Sequence, residues 1–276
     1  MCGLTGILIS NRRRSKRELH DIAGMFTRLL VGSEHRGPHA TGAALIGADG
    51  NHIVTKAPVP ASQFVTSRDY RQLINRVDDS TTCLMGHTRW PTRGSHLENA
   101  NNHPLVSGGG PSVRGQWNDG CTCLITHNGH ISNHEALSHA LKLRREAQVD
   151  SEVILRLAER NLTQSGIDPV GLTEDLSLCR GKLSAVIVAT HDPSKIFLVK
   201  GNQPLEARYH EGHGLIAYAS EAQILDSAIV SGTGWEPIEI PPWNLVVVDT
   251  RVMIPLHAYP ITGYSDANEG SPRSCR

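Results

Sequence analysis

The sequence predicts an α+β protein in which strands and helices form clusters and pack as layers. Short apolar runs typical of buried strands recur along the chain. The helical patterns lie between groups of these runs and do not follow every strand, which argues against a βαβ repeat. No linker divides the 276 residues into halves with separate cores, and a chain of this length can bury a substantial core. We therefore expect one domain.

The first half of the chain contains several apolar runs and one amphipathic segment. Residues 2–10 (CGLTGILIS) have glycines at the start and predict a short buried strand. From Lys16 onward, apolar residues recur at helical spacing and predict an amphipathic helix. A hairpin turn is predicted at 48–51 (ADGN), between the first two of three further strands. These strands are expected at 42–46, 52–55 and 82–88.

The second half begins with a glycine-rich loop at 108–120 and is then rich in strands. Two helices are expected at 134–145 and 151–160, with Asn133 and Ser151 as N-caps. Strands are expected at 121–126, 183–190, 196–200, 215–219 and 245–248. We expect the domain to span 2–262, and the remaining residues, 263–276, to form a polar tail.

The composition excludes several classes of protein. Lys plus Arg and Asp plus Glu both number 27, so nothing predicts an electrostatic surface for nucleic acid or an acidic membrane. We see neither a secretory signal nor an apolar run long enough to span a bilayer, so we expect a cytoplasmic protein. No cysteine grouping has the spacing of a metal site, and we expect neither a metal nor a cofactor.

Cys2 is the first candidate catalytic residue because it directly follows the initiator methionine. Removal of Met1 would leave one residue that carries both a thiol and a free α-amine. A thiolate is a strong nucleophile, and an N-terminal amine can take a proton near neutral pH. By itself, a cysteine at this position could also be an accident of the start site.

Five polar clusters accompany the predicted strands, at 35–42 (HRGPHATG), 86–94 (GHTRWPTRG), 101–104 (NNHP), 126–129 (THNG) and 150–152 (DSE). Together with the N-terminal Cys-Gly, they resemble the motifs of the class II glutamine amidotransferases. The resemblance extends to about Asp249 and is strongest to the glutaminase domain of glucosamine-fructose-6-phosphate aminotransferases. It implies the four-layer αββα sandwich of the N-terminal-nucleophile hydrolases. Six motifs that occur together in this order are specific evidence for the resemblance, although a match to any one of them alone would be weak evidence.

The resemblance also implies a reaction. The Cys2 thiolate attacks the γ-amide carbon of L-glutamine, ammonia leaves, and water releases glutamate from the γ-glutamyl thioester. The side-chain amide of Asn128 and the backbone N–H of Gly129 are the implied oxyanion donors; losing one such donor typically costs about 10²–10³ in rate. Without the other motifs, the Asn-Gly pair would be read as a hairpin turn.

Four further residues are implied to bind the substrate. The Arg89 guanidinium suits the α-carboxylate of glutamine, and Asp150 suits its α-ammonium. Trp90 and Thr92 lie on the loop that closes over glutamine in the relatives. Outside the motifs, Arg89 would be a surface arginine and Asp150 an acid at a helix N-terminus. Arg36 matches a supporting arginine near the nucleophile, where its charge would lower the pKa of the thiol.

Four residues near these motifs are interpreted differently. We assign the two histidines His87 and His103 to structural roles, because a neutral, hydrogen-bonded histidine is the commoner state. His39 stands where many relatives have an aspartate, and Arg93 where the glucosamine branch has a histidine. The first departure could alter hydrogen bonding beside the site, whereas the second lies at a position that varies in the family.

Class II domains usually pass ammonia to a synthase domain, and about 27 residues follow Asp249. We therefore expect a separate partner or acceptor subunit. A stand-alone amidase acting on a γ-glutamyl conjugate is the alternative, although the HTRW loop argues against it. A catalytically silent glutamine-binding module is a third possibility, which an intact Met1 would favour.

Overall fold

The computed structural model describes residues 1–107, 123–229 and 233–263. The helices are α1 (Lys16–Gly32), α2 (Ala61–Phe64), α3 (Arg68–Ile74), α4 (His134–Ala140), α5 (Glu152–Arg160), α6 (Pro169–Ser177) and α7 (Ala222–Ala228). The strands are β1 (Gly3–Ile9), β2 (Ala40–Gly47), β3 (His52–Ala57), β4 (Thr81–Arg89), β5 (Leu105–Val106), β6 (Cys123–Ile131), β7 (Leu162–Thr163), β8 (Gly166–Ile167), β9 (Gly181–Ala189), β10 (Lys195–Lys200), β11 (Glu206–His210), β12 (Leu215–Ala219), β13 (Trp235–Ile238), β14 (Asn244–Asp249) and β15 (Ile254–Pro260). Within these ranges, every helix is too short or too polar to cross a membrane.

Two antiparallel sheets lie face to face between two layers of helices. One sheet has the strand order β13-β11-β12-β1-β4-β2-β3, and the other has the order β15-β14-β10-β9-β6-β5. Apolar residues of α1, α3 and α7 pack on the outer face of the first sheet. Apolar residues of α4, α5 and α6 pack on the outer face of the second. The expected four-layer αββα sandwich is confirmed.

Strand β1 lies at the centre of the first sheet, between β12 and β4. Successive side chains of a strand point to opposite faces. Accordingly, Leu4 and Leu8 are buried between the two sheets, whereas Ile7 and Ile9 pack toward α1. By the same alternation, Cys2 lies on the side of Leu4 and Leu8, at the end of the layer between the sheets.

Most of the predicted elements are present, with changed ends. The hairpin turn at 48–51 joins β2 to β3, and its Gly50 has a φ of 81°. The strand expected at 121–126 continues to Ile131 and so contains the HNG motif. Residues 121 and 122 lie outside the described ranges, as does the expected tail after Gly263.

The helix expected at 134–145 was too long. It ends at Ala140, and Lys142 has a φ of 54°, a left-handed conformation that a helix cannot contain. The two N-cap positions are correct, but neither side chain caps its helix. Asn133 donates to the carbonyl of Leu178, and the hydroxyl of Ser151 bonds Nδ1 of His127 at 2.8 Å.

Candidate active site

One cavity of about 650 Å³ opens at the end of the layer between the sheets. This volume lies within the range of about 300–1,000 Å³ that is usual for ligand sites. Five of the eight predicted site residues line it: Cys2, Trp90, Thr92, Asn128 and Gly129. The first sheet supplies the strand after Cys2 and the second supplies Asn128, so the two sheets contribute opposite walls.

Cys2 is held at the mouth of this cavity by contacts to two segments. Its Sγ donates to the carbonyl oxygen of Trp90 at 3.5 Å. Burial raises the pKa of the Cys2 thiol, and the positive charge of Arg89 opposes that shift. A thiol in this state needs a base before it can attack. Met1, 61% exposed, also lines the cavity and still carries the α-amine.

Arg36 contacts the main chain of the nucleophile. Its Nε donates to the carbonyl oxygen of Cys2 at 2.9 Å, and its Nη1 forms an ion pair with Glu221. The second carboxylate oxygen of Glu221 lies 3.0 Å from Nε2 of His35. Glu221 directly precedes α7, and no sequence pattern predicted its position beside Arg36.

Asn128 presents an unused donor to the cavity. The residue is only 1% exposed, yet its Nδ2 has no hydrogen-bond partner among the described residues. Leaving a buried polar group unpaired typically costs about 1–3 kcal/mol. A buried amide that faces a cavity in this way is arranged to bind a ligand oxygen.

Gly129 places a second donor at the same wall. Ser132 N–H bonds the carbonyl of Arg180 on the β9 side at 2.9 Å, and bonding alternates along an antiparallel pair. The N–H groups of Gly129 and Ile131 therefore point away from β9. The φ of Gly129 is 146°, and a Cβ there would lie 1.9 Å from the carbonyl oxygen of Lys182. Only glycine fits this position.

Arg89 lies behind the cavity wall and is 3% exposed. Its Nη2 donates to the carbonyl oxygens of Arg93 at 2.6 Å and Gly94 at 3.0 Å. Its Nη1 donates to Oδ1 of Asn102 at 2.7 Å and to the carbonyl oxygen of Ser95 at 3.3 Å. In this structure the guanidinium thus anchors the loop that follows β4.

Asp150 also lies behind the wall, at 3% exposure. Its Oδ2 accepts a hydrogen bond from the Ile131 N–H at 2.6 Å and lies 3.3 Å from Nδ1 of His130. His130 lines the cavity whereas Asp150 does not. The structure therefore brings Arg89 and Asp150 to the back of the site, but not to its surface.

Besides Met1, five residues of the cavity lining were not predicted as site residues: His130, Gly181, Lys182, Asn202 and Gln203. His130 follows the HNG motif, and period-two alternation from Asn128 could have identified it. Lys182 pairs with His130 across β6 and β9. Gln203 is 7% exposed, and its Oε1 has no partner among the described residues; no local pattern indicates this.

Within the described ranges, no group of three or more His, Cys, Asp or Glu residues could hold a metal.

Both departures from the family pattern lie at the loop after β4: Arg93 belongs to this loop, and His39, which directly precedes β2, packs against it. The His39 ring meets the Trp90 ring edge-on at 4.9 Å between centroids and the His96 ring at 5.5 Å. Arg93 forms an exposed ion pair of 2.6 Å with Glu135. His39 thus packs against this loop through contacts with two of its aromatic rings.

His87 and His103 form a buried pair beneath the site, with ring centroids 4.3 Å apart. Nε2 of His87 donates to the carbonyl oxygen of His127 at 3.0 Å. Burial lowers the pKa of His87 to about 3 and lowers that of His103 well below its ordinary value. Both rings are neutral near pH 7, as expected, but only His87 is hydrogen-bonded; neither ring nitrogen of His103 has a partner among the described residues.

No family model matches the chain. It is 27% identical over 224 residues to the glutamine–fructose-6-phosphate aminotransferase of Aeropyrum pernix, which covers 79% of this chain and 32% of the relative. It is 23% identical over 254 residues to the 7-cyano-7-deazaguanine synthase of Sulfolobus acidocaldarius, covering 92% of this chain and 49% of the relative. The chain thus spans a third to a half of these relatives.

Two solved structures have a similar fold. The glutamine phosphoribosylpyrophosphate amidotransferase from B. subtilis, complexed with ADP and GMP, matches with a TM-score of 0.66 and 18% identity. The match covers 95% of this chain and 49% of that structure. A structure described as the allosteric regulatory enzyme of purine biosynthesis matches with a TM-score of 0.64, also at 18% identity, over 90% of this chain and 47% of that structure. At this identity the likeness shows the fold alone.

The chain is thus similar in sequence to a glutamine–fructose-6-phosphate aminotransferase and similar in fold to a glutamine phosphoribosylpyrophosphate amidotransferase, and both findings support the resemblance to the class II glutamine amidotransferases.

Proposed function

We propose that this domain hydrolyses L-glutamine to glutamate and ammonia, with Cys2 as the nucleophile. The observation that carries this proposal is the pair of donors in the cavity that Cys2 also lines. The buried Nδ2 of Asn128 has no partner among the described residues, and the N–H of Gly129 points away from its neighbouring strand. Two preorganised donors beside a nucleophile are what a developing oxyanion requires.

The reaction proceeds in two steps. After Met1 is removed, the α-amine of Cys2 takes the thiol proton, and the sulfur attacks the γ-amide carbon. The C–N bond then breaks, the amine returns its proton to the leaving ammonia, and a γ-glutamyl thioester remains. Water attacks the thioester, glutamate leaves, and the thiol is restored. The Asn128 and Gly129 donors bind the oxyanion in both steps.

The remaining predicted residues would bind and enclose the substrate. Arg89 and Asp150 supply opposite charges for the α-carboxylate and α-ammonium of glutamine, and both must become accessible from the cavity. Arg89 already holds the carbonyl groups of the loop that carries Trp90 and Thr92. Glutamine binding and a rearrangement of this loop are therefore coupled in our proposal.

We propose that the ammonia passes to a separate partner. The relatives named above are amino-group-transferring or synthase enzymes by name, and the chain matches only a third to a half of their length. In this proposal, the site that binds the ammonia acceptor belongs to the partner and not to these 276 residues.

Purified protein with Met1 removed should release glutamate and ammonia from L-glutamine, and mass spectrometry should show labelling of Cys2 by a glutamine-like electrophile. The Cys2→Ser variant tests the nucleophile, and Cys179→Ala is the matched control because Cys179 is fully buried. If the processed protein shows neither turnover of glutamine nor labelling at Cys2, the proposal is excluded.

A second candidate is an amidase of a γ-glutamyl conjugate, favoured by the extent of the cavity. Its lining continues past the oxyanion donors to Lys182 and Gln203, which leaves room for a substituent on the amide nitrogen. A panel that compares glutamine with N-substituted γ-glutamyl amides separates the two functions. Higher kcat/KM for the substituted amides would favour the amidase.

A further inference from the structure

His130 is the one imidazole that lines the cavity within the described part of the chain. It follows Gly129 directly, and its side chain shares a face of β6 with Asn128. The side chain is 40% exposed, whereas Asp150 behind it is 4% exposed. His130 therefore stands between the cavity and the carboxylate that is proposed to bind the α-ammonium of glutamine.

The contact between His130 and Asp150 depends on charge. Nδ1 of His130 lies 3.3 Å from Oδ2 of Asp150, but the pair does not have hydrogen-bond geometry. A neutral imidazole gains little from such a contact, because a hydrogen bond weakens steeply when it is misaligned. A protonated imidazole gains Coulombic attraction at this distance whatever its alignment.

The groups around His130 leave Asp150 as its main charged partner. On the opposite strand, Lys182 is its cross-strand neighbour and a like charge once His130 is protonated. The ring of His134 on α4 lies 6.5 Å away between centroids. Burial lowers the pKa of both His134 and His127, so neither ring competes as a cation near pH 7. The Cys2 thiol and the amine of Met1 complete the cavity lining.

We propose that His130 is a specificity-determining residue that covers Asp150 and must be displaced when the α-ammonium of the substrate binds. The inference rests on the proposed glutaminase function. It predicts that removing the His130 side chain increases discrimination in favour of a substrate with an α-amine, and that a fixed positive charge at this position decreases it.

The test compares two ligands that differ only in the α-amine. L-Glutamine and its des-amino analogue, glutaric acid monoamide, are titrated calorimetrically into full-length Cys2→Ser protein, which prevents turnover. In the Cys2→Ser background, adding His130→Ala should raise the ratio of the affinity for glutamine to the affinity for the analogue at least about fivefold, and adding His130→Lys should lower it by a similar factor.

His139→Ala, a substitution of an exposed histidine of α4, serves as the matched control and should leave the affinity ratio unchanged. An unchanged ratio in the His130→Ala protein overturns the role of His130. If His130→Ala fails to fold, His130→Lys still decides, because a ratio no lower than that of the background protein also overturns it. Absence of glutamine binding, together with absence of hydrolysis by the wild type, overturns both proposals.

Discussion

Arg36 donates from Nε to the carbonyl oxygen of Cys2 at 2.9 Å, and so fixes the main chain of the proposed nucleophile rather than its sulfur. The same guanidinium is 4% exposed and is neutralised by Glu221. Glu221 in turn accepts a contact from His35. This chain of contacts ties the N-terminus to two distant segments, and it makes Arg36 a positioning residue.

Replacing Arg36 with lysine should lower kcat with little change in KM, because a lysine cannot donate from the Nε position and pair with Glu221 at once. Glu221→Gln should lower kcat less and destabilise the fold by about 1–3 kcal/mol, since it removes the charged partner of a buried guanidinium. Steady-state kinetics and urea unfolding check these values. Equal kcat in wild type and Arg36→Lys would contradict the positioning role.

Asn128→Ala removes one oxyanion donor and should reduce kcat for glutamine hydrolysis by about 10²–10³. Alkylation of Cys2 by iodoacetamide requires no oxyanion donor, so its rate should change less than about twofold. The comparison separates a catalytic loss from a misplaced nucleophile. An equal fall in both rates would show that Asn128 holds Cys2 in place and does not bind the oxyanion.

Gly129→Ala should abolish hydrolysis and destabilise the fold by more than about 3 kcal/mol. The new Cβ would lie 1.9 Å from the Lys182 carbonyl oxygen, in a backbone with a φ of 146°. Gly263→Ala is the matched control, because its φ is 86° and a Cβ there meets no atom of the described residues within 4 Å. We expect the free energy of unfolding of that variant to fall by about 1–2 kcal/mol and its activity to be unchanged. Similar unfolding curves for both variants would refute the clash.

The free energy of unfolding should fall as the pH is lowered below neutrality. The pKa of His87 is about 3 in the fold against an ordinary 6.5, because burial favours its neutral form. Between these two values the unfolded chain binds more protons than the folded one, so acid destabilises the fold. His87 alone accounts for about 2 kcal/mol between pH 7 and pH 5.

Urea unfolding at these two pH values tests this expectation. His87→Gln keeps a donor for the His127 carbonyl and should reduce the loss by about 2 kcal/mol. His139→Gln, at an exposed position, should leave the loss unchanged. A His87→Gln protein as acid-sensitive as the wild type would show that the ring is already charged or released in the fold.

Much of the fold follows from local patterns. Continuous apolar runs predicted β1, β4 and β9, because both faces of these strands are buried. Helical spacing predicted α1, because burial of one face imposes this period on the sequence. The helices α2, α3, α6 and α7 were missed. Three of them, α2, α3 and α7, span only four to seven residues, which is too few for a helical period to stand out. Tertiary packing stabilises such helices more than their own propensity does.

The sequence by itself determined which residues could carry the chemistry: the position of Cys2 behind Met1, the Asn128-Gly129 pair, and the motifs that resemble a class II glutaminase. Only the tertiary structure decided how those residues are exposed. It binds Arg89 to the loop carbonyls, covers Asp150 with His130, and joins Arg36 to Glu221 across 185 positions. The physical reason is that burial and pairing arise from contacts between segments far apart in the chain, about which local periodicity carries no information.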